Sequence, residues 1–103
     1  MIKRFTDGPN PWTPMTGVQD IQVLGKFAEE LSECASVCAR CLIQGIDEVE
    51  PSTGKANRSW LEEEVADVLA NLEIVIEHYN LDMNAIDKRA DFKIEYLKRW
   101  HNL

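Results

Sequence analysis

The sequence predicts an all-α domain, and three observations carry that prediction. Apolar residues recur at steps of three and four over residues 18–43, 59–79 and 83–100, clusters of Gly, Pro, Asn and Asp fall between these stretches, and no segment shows the apolar–polar alternation of a strand.

Residues 1–17 read as an extended N-terminal arm, because they hold Pro9, Pro11 and Pro14 without any period, and "DGPNP" is turn chemistry. A long helix is predicted from Val18 to Ile43 on the stripe Ile21, Leu24, Ala28, Leu31, Ala35, Cys38 and Leu42, with Gly45 as its stop. The stretch "GIDEVEPSTGKANR" is a loop with an acidic first half and a basic second half. Ser59 with Glu62 fits a capping box, so a second helix is expected to start there and bury Leu61, Val65, Val68, Leu72, Val75, Ile76 and Tyr79. "NLD" supplies the next turn, Asp82 is a candidate N-cap, and a third helix is predicted on Ile86, Ala90, Ile94 and Leu97.

At 103 residues the chain is one domain with a modest core, which leaves room for a partner subunit to contribute. An apolar content of 45% beside 28% charged residues describes a soluble globular chain, and no apolar run approaches the roughly 20 residues of a membrane span. The first residues lack the apolar core of a signal peptide, so a cytoplasmic location is expected and membrane association is not. A net charge of -7 disfavours non-specific binding to nucleic acid. Cys34, Cys38 and Cys41 all fall in the first helix, and an odd count without an accompanying His cluster predicts packed, reduced thiols rather than disulfides or zinc.

The chemistry-bearing pattern is acidic. "EELSE" places Glu29, Glu30 and Glu33 on the first helix, and "EEEVAD" places Glu62, Glu63, Glu64 and Asp67 on the second. Residues three apart on a helix are neighbours, so Glu30 pairs with Glu33 and Glu64 with Asp67, and antiparallel packing would bring the two pairs together. Unit charges ~4 Å apart repel by ~4 kcal/mol at an effective dielectric of ~20, which calls for a cation or for protonation. Hard oxygen ligands with open positions suit Mg²⁺, or Mn²⁺. A glutamate run is also commonly a solvated helix face, and Glu62 and Glu63 near a helix start favour the dipole in any case. A di-iron bundle is disfavoured, because Val75 and Lys98 stand three residues before His78 and His101 where that design needs Glu.

"EELSE" followed by "EEVAD" on consecutive helices resembles the MazG-like branch of the all-α nucleoside triphosphate pyrophosphohydrolases, over roughly residues 18–100. The resemblance implies that Glu30, Glu33, Glu64 and Asp67 ligate Mg²⁺, while Glu29 and Glu63 orient or deprotonate water. It also implies cleavage of a nucleoside triphosphate between the α- and β-phosphates, giving a monophosphate and pyrophosphate. "KIEYLKR" offers Lys93 and Arg99 at the ends of the family's basic third-helix pattern, although Leu97 stands where the family often has Asn. Arg58 in the loop and Asn71 one turn beyond Asp67 are further substrate-binding candidates. The family builds its bundles across subunits, so a homodimer or a dimer of dimers is expected. A MazG-like protein that binds nucleotide or a partner without turnover is the alternative.

Overall fold

Three helices form along residues 8–103, the part of the chain that the computed structural model describes: α1 (Val18–Gln44), α2 (Asn57–His78) and α3 (Met83–His101). The all-α class read from periodicity is observed; among the described residues the only sheet-like pairing is one antiparallel bridge, Val49 to Ala56, within the loop. Of the predicted arm, residues 8–17 carry no helix or strand, and residues 1–7 lie outside the described residues. No helix among the described residues is long and apolar enough to cross a membrane.

α1 stops where expected. Gly45 takes φ 106°, which a residue with a Cβ rarely adopts, and its N–H donates to the Cys41 carbonyl at 2.8 Å. α2 starts three residues earlier than the capping box predicts. Its N-cap is Ala56, with no side-chain acceptor, and Ser59 lies inside the helix. Loop closure accounts for the difference, because the Asn57 N–H donates to the Glu48 carbonyl at 2.9 Å. The Asn57 side chain, fully buried, donates to Gln44 Oε1 at 3.1 Å and to the Gly45 carbonyl at 3.0 Å, tying the start of α2 to the end of α1. α3 begins as read, with Asp82 Oδ1 accepting from the Ala85 N–H at 3.1 Å.

The loop is closed by a second buried group. Glu50 is 6% exposed and accepts from Ser52 Oγ, Thr53 N and Thr53 Oγ1 at 2.7 to 2.8 Å, with Arg40 Nη1 at 3.5 Å. These donors from Ser52 and Thr53 hold its carboxyl down at about 2. Arg40 and Lys55 both lie over the Trp60 ring, with their charged groups 4.7 and 5.1 Å from its centroid.

α1 and α2 therefore form an antiparallel hairpin. At its open end, His78 Nε2 lies 2.7 Å from Asp20 Oδ1, and the Tyr79 hydroxyl donates to the Asp20 carbonyl. The α1 face that meets α2 is not the predicted stripe. Val23, Phe27, Glu30, Cys34, Val37, Cys41 and Gln44 turn inward, while Ile21, Leu24, Leu31, Cys38 and Leu42 are exposed. The inward set alternates steps of four and three, the spacing of a helix–helix seam, and lies about one residue, or ~100°, around the helix from the predicted one. On α2 the expected positions Leu61, Val68, Leu72, Val75, Ile76 and Tyr79 are at least partly buried, whereas Val65 is exposed.

Only Val37 and Val75 are buried hydrophobic residues among those described. α3 makes no extensive contact with α1 or α2, and Phe92, Ile94, Tyr96, Leu97 and Trp100 along it are exposed. The radius of gyration, 18.9 Å, exceeds the ~13 Å of a compact chain of this length.

The Asn57 clasp yields a prediction. Asn57→Ala leaves Gln44 Oε1 and the Gly45 carbonyl without their buried donor, and is expected to cost about 1 to 3 kcal/mol, read as a lower midpoint in urea unfolding at an unchanged slope.

Candidate metal centre

The 4-3 seam of the hairpin places two acidic residues among its inward positions, Glu30 on α1 and Glu64 on α2. Glu33 lies on the same side of α1 one turn on. Ligand oxygens of Glu30, Glu33 and Glu64 all fall within 4.8 Å of one another. Glu30 is 6% exposed, Glu64 is partly buried and Glu33 is exposed, so the group opens from the seam toward solvent.

Two of these oxygens are orphans. Glu30 Oε2 and Glu64 Oε2 are buried with no hydrogen-bond partner. A native interior rarely leaves carboxylate oxygens in that condition, because lost hydration has no replacement. The crowding also raises the Glu33 carboxyl above its ordinary range: the Glu30 charge is the largest cause, followed by burial and then by Glu64 and Glu29, with Lys26 opposing. The set fits a hard divalent cation. It offers oxygen donors from two helices, an open side for water or phosphate, and buried acceptors that lack a donor.

The other predicted residues fall around this group. Asp67 is exposed and does not join the cluster of three. Asn71 donates to the Asp67 carbonyl of its own helix at 2.8 Å. Glu29 is exposed, with Oε2 3.5 Å from Lys26 Nζ, and Glu63 is ion-paired with Lys55. Arg58 forks onto Asp47 through Nε at 2.7 Å and Nη2 at 3.2 Å, which holds the Asp47 carboxyl below its usual range. Lys93 and Arg99 lie on the unpacked α3, Lys93 over the Tyr96 ring and Arg99 paired with Glu95 at 2.9 Å, so the fold of one chain does not bring them to the carboxylates.

The cysteines are free, as expected, but only Cys34 and Cys41 are partly buried, and Cys38 is exposed. Burial, with Cys38 adding to it, pushes the Cys34 thiol up. Among the described residues no cysteine joins a metal-like cluster. The sequence reading missed Lys26, whose Nζ lies 3.1 Å from Glu30 Oε1; its position four residues before Glu30 was the available signal.

Fold and site together describe a helical hairpin in which three glutamate carboxylates from two helices meet in one place. Comparison with known proteins found no matching family model, no matching curated protein and no matching solved structure.

Glu33→Gln tests the electrostatics directly. Because the folded state raises this carboxyl, ionised Glu33 opposes folding at pH values above its raised pKa, and that penalty fades as pH falls through it toward the unfolded value. In EDTA at neutral pH the variant should therefore melt higher than the wild type, and the difference should vanish near pH 4.

Proposed function

We propose that this chain is a Mg²⁺-dependent nucleoside triphosphate pyrophosphohydrolase of the MazG-like kind, with Mn²⁺ as an alternative ion, that cleaves between the α- and β-phosphates to give a monophosphate and pyrophosphate. The observation that carries the reading is that Glu30 and Glu64, on the two helices of the hairpin, each keep a buried carboxylate oxygen without a partner in a cluster whose ligand oxygens, with those of Glu33, lie within 4.8 Å of one another. Glu30, Glu33 and Glu64 would hold the ion, and Asp67, three residues beyond Glu64 on α2, is the further ligand that the resemblance implies. A bound divalent ion supplies charge neutralisation for the phosphates and polarises a water for attack on phosphorus. Glu29 and Glu63, the outer members that the resemblance implies, would orient the attacking water or take its proton, which requires Lys26 and Lys55 to release them.

The cations for the leaving group have to come from elsewhere. Lys93 and Arg99 can serve if α3 of a second copy lies against the hairpin, and the unpartnered α3 together with the exposed Ile21, Leu24, Leu31 and Leu42 of α1 supports an obligate homodimer or dimer of dimers. Sedimentation equilibrium should then find no stable monomer, and Leu31→Glu should shift the protein to monomer or unfold it.

A non-catalytic nucleotide- or partner-binding role is the second reading. It is favoured by the ion pairs that already occupy Arg58 and Glu63.

The deciding experiment measures pyrophosphate release from ribo- and deoxynucleoside triphosphates with Mg²⁺, Mn²⁺ or EDTA. Metal-dependent release that falls by at least about a hundredfold in Glu64→Gln is expected. Nucleotide binding without release on any substrate would select the second reading.

A further inference from the structure

Lys26 stands one turn before Glu30 on α1, with Nζ 3.1 Å from Glu30 Oε1 and 3.5 Å from Glu29 Oε2. An i,i+4 Lys–Glu pair on an open helix surface contributes little. This pair differs because its acceptor is a buried carboxylate whose second oxygen has no partner. Among the described residues, neither Glu33 nor Glu64 forms an ion pair, so Lys26 is the one cation bonded to the cluster. The ammonium rises in basicity because it donates to Glu30 and sits in the field of Glu29 and Glu30. Its side chain is half exposed, so it can leave without disturbing the seam.

We propose that Lys26 is the resident counter-cation of the carboxylate cluster: its ammonium and a divalent metal ion are alternative partners of Glu30. With metal scarce, the tethered ammonium offsets the mutual repulsion of Glu30, Glu33 and Glu64 and keeps the hairpin closed. At higher metal concentration Glu30 exchanges a monovalent, flexible partner for a divalent one, and Lys26 returns to solvent. Lys26 therefore sets the metal concentration at which the site fills. The exchange rests on the metal-binding reading above, whereas the metal-free role does not.

Two measurements separate these parts, both made on the full chain. Mn²⁺ binding is followed by electron paramagnetic resonance for the wild type, Lys26→Met and Lys26→Arg, and thermal unfolding in EDTA is compared across the wild type, Lys26→Met, Glu30→Gln and the Lys26→Met/Glu30→Gln double variant. Lys26→Met should bind Mn²⁺ more tightly, by roughly three- to tenfold, because a competitor has been removed. In EDTA it should melt lower than the wild type, and adding Glu30→Gln should restore the loss, since the charge left unpaired is then gone. Lys26→Arg should match the wild type. Unchanged or weaker Mn²⁺ binding in a folded Lys26→Met overturns the exchange, and an unchanged melting temperature in EDTA overturns the counter-cation role. If no variant binds Mn²⁺ while the EDTA cycle shows coupling, the metal-binding reading and the exchange fail, and the counter-cation role stands alone.

Discussion

The burial of Glu30 and Glu64 in the α1–α2 seam is the constraint on which the rest of this structure turns. A seam with 4-3 spacing would be most stable with aliphatic side chains at every inward position. This one places acidic groups there, beside Cys34 and Asn71, and among the described residues only Val37 and Val75 are buried hydrophobic residues. Two carboxylate oxygens are left without donors. Such an arrangement is expensive in any helical hairpin, and this cost is what the proposed metal ion would offset.

Because the seam is weak, the hairpin is held at its two ends. At the closed end, the buried Asn57 amide bonds the last residues of α1, and Glu50 organises the loop through Ser52, Thr53 and Arg40. At the open end, His78 and Tyr79 meet Asp20. These clasps are polar and directional, so they fix the register of the two helices where a sparse apolar core would let them slide. Register matters for chemistry here, since Glu64 meets Glu30 and Glu33 only when the helices are correctly phased.

A second consequence concerns what one chain leaves uncovered. Rotating α1 so that Glu30 faces α2 turns Ile21, Leu24, Leu31 and Leu42 outward, and α3 extends without a partner of its own. The apolar surface absent from the interior is thus found on the outside, along two helices. The basic residues Lys93 and Arg99 ride on one of those uncovered helices, away from the carboxylates of the same chain. In the proposed assembly, burial of these faces would also bring Lys93 and Arg99 of one copy toward the carboxylates of another.

The sequence by itself determined the class, the three helices and the identity of the acidic groups, because periodicity, glycine stops and the Asp82 cap are local signals that each helix carries alone. It also marked Glu30 with Glu33 and Glu64 with Asp67 as neighbours, since i,i+3 spacing on a helix needs no tertiary information. Which face of α1 meets α2 was decided only by the tertiary structure. α1 carries two apolar stripes about 100° apart, and periodicity weighs them alike, while the clasp residues Asn57, Asp20 and Tyr79 act across 12 to 59 positions of chain and select one. The same selection buried Glu30 and left Asp67 at the edge, outcomes that depend on distances between helices and leave no trace in the spacing within either one, whereas the i,i+4 spacing of Lys26 and Glu30 is legible in α1 alone.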